Sequence, residues 1–302
     1  MIERYEVLES KYHLMKHWEF ANPGVPFERA FATWPLMESR DALNSAINWS
    51  WIQWHSDPNF ERIGSELATF ALRSAQGSAK YTKRVGQEFR GMQDWMVTAC
   101  AILSGDVATM RAATDGIPGA KKRVRRNQYY EALAGILKCR IHGRANLEQE
   151  QLDKLQLGQP DPEFISPSQK LIQAFSKRDY CAFEEALEDG MRKHLEGRFN
   201  KRARGAPLPV VAHEGGRNVV NLRNKDSYTL WPYPEAVFAK LAALDGATIK
   251  CDSFWFPRDF VTATTVVHED AMLRLAALDN ADEKPGADSA WAAIFLKPRK
   301  KE

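Results

Sequence analysis

The residues best suited to chemistry in this chain are few and scattered. Of its seven histidines, only His13 and His17 stand four apart, which places both on one face of a helix. A catalytic zinc helix also needs a carboxylate between the pair and a third ligand elsewhere. Leu14, Met15 and Lys16 fill that interval, so the pair reads as amphipathic histidines beside Trp18, and no metal is expected. The four cysteines, Cys100, Cys139, Cys181 and Cys251, are widely spaced, with no C-x-x-C. They lie in apolar surroundings such as "VTACAIL" and read as buried, reduced thiols.

Phosphate-cradling glycine loops and nucleophile elbows are absent. "HEGGRN", His213 to Asn218, sets a glycine pair beside a histidine, a glutamate and an arginine. It fits a substrate-binding loop or an ordinary exposed turn. No two carboxylates sit in an apolar setting that would split their acidities. No catalytic residue and no cofactor is therefore expected.

Charge is more segregated than the total suggests. The chain of 302 residues carries a formal net charge of +3, too small an excess to mark a nucleic-acid or membrane binder. Lys121, Lys122, Arg123, Arg125 and Arg126 form a basic run after Pro118-Gly119. Its cations meet the positive end of the helix they begin, an unfavourable placement. A solvated face or a protein contact suits it better than a nucleic acid. The acidic counterpart is "FEEALEDG". With Phe183, Leu187 and Met191 turned inward, Glu184, Glu185, Glu188 and Asp189 are expected to point outward. Arg198, Arg202, Arg204 and Arg217 belong to a long Gly/Pro/Arg-rich stretch, expected to be a surface loop from Arg198 to Pro234.

Apolar residues recur at three- and four-residue steps through most of the chain. Leu43, Ala46, Ile47, Trp51 and Trp54 form one stripe, which Pro58 stops. Ile63, Leu67, Phe70 and Ala71 form a second. Val85, Phe89, Met92, Trp95, Met96 and Ala99 form a third. At Ser104-Gly105-Asp106 the pattern breaks and restarts, with Gly105 suited to a helix C-terminus and Asp106 to an N-cap. The same hairpin form returns where Leu171, Ile172 and Phe175 precede a turn at 176–179, followed by Phe183, Leu187, Met191 and Leu195. Tyr129 and Tyr130 fit a buried stripe with Leu133, Ile136 and Leu137. Only "FVTATTVVHED" and "RNVVNLRN" read as strands. The expected fold is mainly α, layered helical hairpins with at most minor short strands. An N-terminal helical region, 1–90, is expected to pack with 91–302 as one globular unit.

The hydrophobic fraction of 44% supports a substantial core. No apolar window is long enough to span a bilayer. The first twenty residues lack the apolar run and cleavage site of a secretory leader, so a cytoplasmic location is expected.

"WMVTACAILSGDVATM", "NQYYEALAGILKCRIHGR", "SQKLIQAFSKRDYCAFEEALEDGMRKH" and "YTLWPYPEAVFAKLAALDGATIKCDSFWFPRDFV" follow one another between Trp95 and Val261. In pattern and order this segment resembles the immunity protein 49 family of bacterial polymorphic toxin systems. It is also similar, in its helix and aromatic-Pro ending, to the antidotes of PoNe-type DNase toxins. The resemblance implies a mostly helical, non-enzymatic antitoxin of interbacterial competition. Its implied partner is a cognate protein toxin, the C-terminal toxic domain of a secreted effector, often nuclease-like. Glu184, Glu185, Glu188 and Asp189 are then the expected contacts for a basic toxin, and Arg198, Arg202, Arg204 and Arg217 come next. Direct nucleic-acid binding and membrane association are not expected. The stretch from Trp231 to Val261 reads as architecture, with Pro234 near N1, Val237, Phe238, Leu241 and Leu244 on the buried face, and Ile249, Phe254, Trp255 and Phe256 packing back. A helical scaffold for another protein, and an enzyme built on "HEGGRN" and the basic run, remain alternatives.

Overall fold

A computed structural model describes residues 40–56, 58–81, 90–115, 125–158, 167–200, 210–214, 217–221, 231–253 and 255–282. The fold is mainly α. The first hairpin joins α1 (Arg40–Ser56) to α2 (Phe60–Tyr81). The next two pair α3 (Arg90–Leu103) with α4 (Val107–Asp115), and α5 (Arg125–Ile141) with α6 (Ala145–Leu157). A fourth pairs α7 (Gln169–Lys177) with α8 (Tyr180–Asn200). Partners within each hairpin touch. α9 (Tyr233–Leu244), α10 (Arg258–Thr262) and α11 (His268–Asp282) complete the helices described.

Local chemistry explains the boundaries. Ser168 caps α7, its hydroxyl accepting from Leu171 N at 3.2 Å, and Arg178 closes that helix in the left-handed region at φ 56°. Asp179 starts α8, its carboxylate accepting from Ala182 N at 3.1 Å. The Ser-Gly-Asp junction behaves as its residue types require. Gly105 turns the chain at φ 77°, and the Asp106 carboxylate accepts from Ala108 N at 2.8 Å and Thr109 N at 3.1 Å.

α3 is the central helix. It packs against α1, α2, α4, α5 and α9, and Trp95 through Leu103 are buried on every side. The apolar stripes fall where the periodicity places them. Leu43, Ala46, Ile47, Trp51, Ile63, Leu67 and Ala71 are buried, with Trp54 and Phe70 against them. Tyr129, Tyr130, Leu133, Ile136 and Leu137 line the inner side of α5. One continuous apolar cluster includes side chains of α1 and α2 together with those of α3 to α11. The expected stripe residues Val85 and Phe89 lie outside the described residues, as do Phe254, the run 121–123 and the side chains of Met92 and Leu195.

The segment from Trp231 onward supplies the aromatic seam. Trp255 stacks on Trp51 with centroids 5.4 Å apart and planes 7° from parallel. Phe260 meets Trp54, Phe60 and Trp231 at 5.5, 5.5 and 5.8 Å. Phe238 meets Phe175 edge-on at 5.0 Å. α9 carries Pro in its first turn and is buried on all sides from Tyr233 to Ala242. A one-faced stripe is therefore too narrow a description, and Leu244, expected inside, is 37% exposed.

Two further expectations change. "FVTATTVVHED" forms no strand: Val261 and Thr262 end α10, and His268 opens α11. Between them Thr265 N donates to Gly105 O at 3.2 Å and Val267 N to Asp106 Oδ2 at 2.7 Å. Those bonds use donors that a β ladder would need. The long stretch expected as a loop from Arg198 instead begins inside α8. It also contains an antiparallel hairpin, β1 (Val210–Glu214) and β2 (Arg217–Asn221), pairing Glu214 with Arg217. "RNVVN" is thus a strand, as its alternation predicts.

Candidate interaction surface

The buried side chains of Arg140 and Lys240 hold elements together. Arg140, near the end of α5, joins four parts of the fold. Its guanidinium donates to Asp245 at 2.7 Å, to Glu148 at 3.2 Å, and to the carbonyls of Phe175 and Ser176 at 3.1 and 3.3 Å. It also lies over the Phe175 ring, 4.5 Å from the centroid. Burial works against its charge, but the bonds to Asp245 and the Glu148 carboxylate outweigh it and hold its pKa above the ordinary value.

α9 carries two more. Lys240 is 1% exposed, and burial drives its pKa well below the usual lysine range. Its Nζ donates to the carbonyls of Phe260 and Ala263 at 3.2 and 2.6 Å and sits 4.3 Å above the Phe60 ring. It therefore closes the C-terminal end of α10 as a backbone cap would. Glu235, in the first turn of α9, is pushed up by burial to about 8, and its Oε2 has no hydrogen-bond partner. Neither group was singled out as a site from sequence. A single lysine inside "AVFAKLAAL" was the available signal, because a buried cation must find carbonyl, carboxylate or aromatic partners.

The acidic stretch of α8 divides in two. Glu185 and Glu188 are exposed, as expected. Glu184 turns inward instead, its Oε1 accepting from Lys250 N at 2.8 Å and Cys251 N at 2.5 Å. This corrects its expected outward position: the segment after α9 has two backbone donors and no helix to accept them. The nearby Cys251 thiol is pushed up to about 12 by burial and by the Glu184 and Glu188 carboxylates. Asp189 pairs with Lys193 and Arg192, one turn further on. Its pKa is lowered, first by the Lys193 bond. The free acidic charge of the patch is therefore centred on Glu185 and Glu188.

The expected basic group is not assembled among the described residues. Arg198 lies on α8 and Arg217 on β2, their side chains outside what is described. Arg202 and Arg204 fall outside the described residues, as do His13 and His17. His213 and Glu214 lie on β1, facing Asn218 and Arg217 in register across the hairpin. Among the described residues no group of three His, Cys, Asp or Glu is placed to hold a metal ion. None of the described helices is long and apolar enough to cross a membrane.

A cleft of about 370 Å³ opens between α6 and α7. Buried Leu155 and Ile172 form its floor with half-buried Leu152, and glutamines line it from both helices.

The fold is that of a mainly α-helical protein in which the buried side chains of Arg140 and Lys240 tie elements together. No family model, no characterised protein and no solved structure matches the chain.

Proposed function

We propose that the chain is an antitoxin of the immunity type, a non-catalytic cytoplasmic protein that binds a cognate toxin domain and occludes it. The observation that carries this reading is the support behind the outer face of α8. Phe183 and Leu187 anchor the helix in the core. Glu184 clamps it to the segment after α9. Gly190 lies against the Glu235 side chain, where even a Cβ would make only an ordinary contact at 3.5 Å. Glu185 and Glu188 are thus presented on a helix that needs no ordering when a partner docks, which removes part of the cost of association. Carboxylates so held attract a basic surface and steer its approach. A net charge of +3 is the wrong sign for meeting a basic toxin globally, so the patch must act locally.

The test is rescue of growth. The isolated C-terminal domain of a polymorphic toxin encoded beside this chain is expressed with and without it. The expected result is killing by the domain alone, rescue by the wild-type chain, and loss of rescue by Glu185→Lys/Glu188→Lys at an unchanged Tm. Failure of the wild-type chain to rescue overturns the immunity reading. Full rescue by the double variant removes these two carboxylates from it.

A further inference from the structure

We propose that the segment 263–267, between α10 and α11, is an open strand edge that pairs with one strand of the partner protein, flanked by a basic residue. The inference rests on the reading of the chain as a toxin binder and adds a main-chain contact to the charged one on α8.

Every second residue of the segment is tied inward. Ala263 has extended backbone, φ −60° and ψ 143°, and its carbonyl accepts from Lys240 Nζ at 2.6 Å. Thr265 N donates to Gly105 O at 3.2 Å, and Val267 N to Asp106 Oδ2 at 2.7 Å. A period of two is that of an extended chain. There the N–H and C=O of one residue share an edge, and those of the next take the other. The inner edge is therefore occupied, and Thr264 and Val266 present their groups on the outer one.

Burial follows the same alternation. Thr265 is half-buried and Val267 buried, whereas Thr264 is exposed and Val266 is 99% exposed. Exposure that complete leaves the main chain of Val266 in solvent along with its side chain. Neither Thr264 nor Val266 has a hydrogen-bond partner among the described residues. Their two N–H and two C=O groups form a row that an incoming strand can match. A helix spends its own main-chain groups internally, so an extended segment is the occupant that answers this row.

Side chains and charge narrow the partner. Thr264, Thr265, Val266 and Val267 are all β-branched, the type that fits a pleated surface. Exposed edges are commonly guarded by proline or lysine, and neither lies within 263–267. Val107, next in sequence to the carboxylate that holds Val267, is 44% exposed and offers apolar surface with Val266. Glu269, in the first turn of α11, is exposed and has no ion-pair partner among the described residues. Asp270 beside it is already bound by Arg274 and Ser65. The Glu269 carboxylate at the end of the edge therefore selects a strand flanked by lysine or arginine.

The test uses the full chain and the toxin domain encoded beside it, read by amide hydrogen exchange and binding titration. Exchange at Thr264 and Val266 is expected to slow in the complex. Val266→Pro deletes an N–H that makes no bond within the chain, and it suits the extended backbone that precedes it. It is expected to weaken binding about tenfold, the loss of one to two net hydrogen bonds, with Tm unchanged. Val266→Thr keeps the N–H and is expected to bind as wild type. Glu269→Lys is expected to weaken binding by a factor that shrinks in high salt. Undiminished binding by Val266→Pro or by Glu269→Lys, or unchanged exchange at both amides, overturns the proposal while immunity stands. No binding by the wild-type chain overturns the immunity reading and this inference with it. A wild-type chain that dimerises alone, protecting the same amides, and a monomeric Val266→Pro would assign the edge to a second copy and also overturn the proposal.

Discussion

Asp106 holds two distant parts of the chain with one carboxylate. Its Oδ1 caps α4 through Ala108 and Thr109, and its Oδ2 accepts the Val267 N–H at 2.7 Å, across 161 positions of sequence. Thr265 reinforces the contact, its hydroxyl donating to Ser104 O at 3.0 Å. The junction between two helices is thereby also the docking point for the segment that leads into α11.

Substitution separates the two roles. Asp106→Ala should cost about 2 kcal/mol, the sum of a lost cap and a buried N–H left unpaired. Asp106→Asn keeps an oxygen for the cap but offers an N–H to Val267, and should cost about 1 kcal/mol. Urea unfolding measures both. An Asn variant as stable as wild type would show that the Val267 bond contributes nothing.

Two left-handed glycines allow strain and crowding to be compared. A Cβ on Gly105, at φ 77°, would lie 2.8 Å from the Ala263 carbonyl oxygen, whereas one on Gly246, at φ 95°, would meet nothing within 4 Å. Gly246→Ala should cost about 1 kcal/mol, the backbone strain alone. Gly105→Ala should cost at least about 1 kcal/mol more, because the carbonyl must move. Equal losses in thermal unfolding would place the docked 263–267 segment elsewhere.

Arg140 is expected to be the most sensitive single charge. Arg140→Met leaves Asp245, Glu148 and two carbonyls without their donor and should cost about 3 kcal/mol. Arg140→Lys should recover little, since one ammonium cannot reach the same set of acceptors. Adding Glu148→Leu to Arg140→Met should restore part of the loss, because the stranded carboxylate is removed. A double-mutant cycle by urea unfolding gives the coupling directly. A coupling near zero would contradict the assignment of Glu148 as a partner.

Glu235 sets a pH dependence. Its folded pKa is raised from 4.5 to about 8, so the folded chain holds a proton that the unfolded chain releases. Its full stability is present below the unfolded value and is lost as pH rises through the folded one. The slope is on the order of 1.4 kcal/mol per pH unit in that window. Glu235→Gln should therefore gain on wild type steadily between pH 5 and pH 8. Parallel Tm curves for the two proteins would rule out a protonated Glu235.

The parts of the fold legible in the sequence are those decided locally. Gly105 and Asp106 are readable because a turn and a cap use neighbouring atoms. Leu43, Ile47, Leu171, Phe175 and Phe183 are readable because helical spacing alone selects a face. What was hidden depends on partners far along the chain. Glu184 looks like any outward carboxylate until Lys250 and Cys251 arrive beside it. Val261 to Val267 has the composition of a strand, yet Val261 N and Ala263 N donate to Pro257 O and Asp259 O, and Thr265 N and Val267 N to the Ser-Gly-Asp turn. Lys240 escapes a periodic reading because periodicity assumes a single inner face and α9 is enclosed from Tyr233 to Ala242. Leu244 is exposed because it lies past that enclosed stretch. The α6–α7 cleft belongs to neither helix alone, so no single-helix pattern reveals it.

The enclosure of α9 has a consequence for synthesis on the ribosome. Trp51 waits for Trp255, and α3 waits for α9, so these described helices emerge long before the residues that cover them. Nascent chains that stop short of Phe260 would display bare tryptophan and leucine surface to chaperones and proteases. A chain carried through this aromatic seam covers that surface with its own residues.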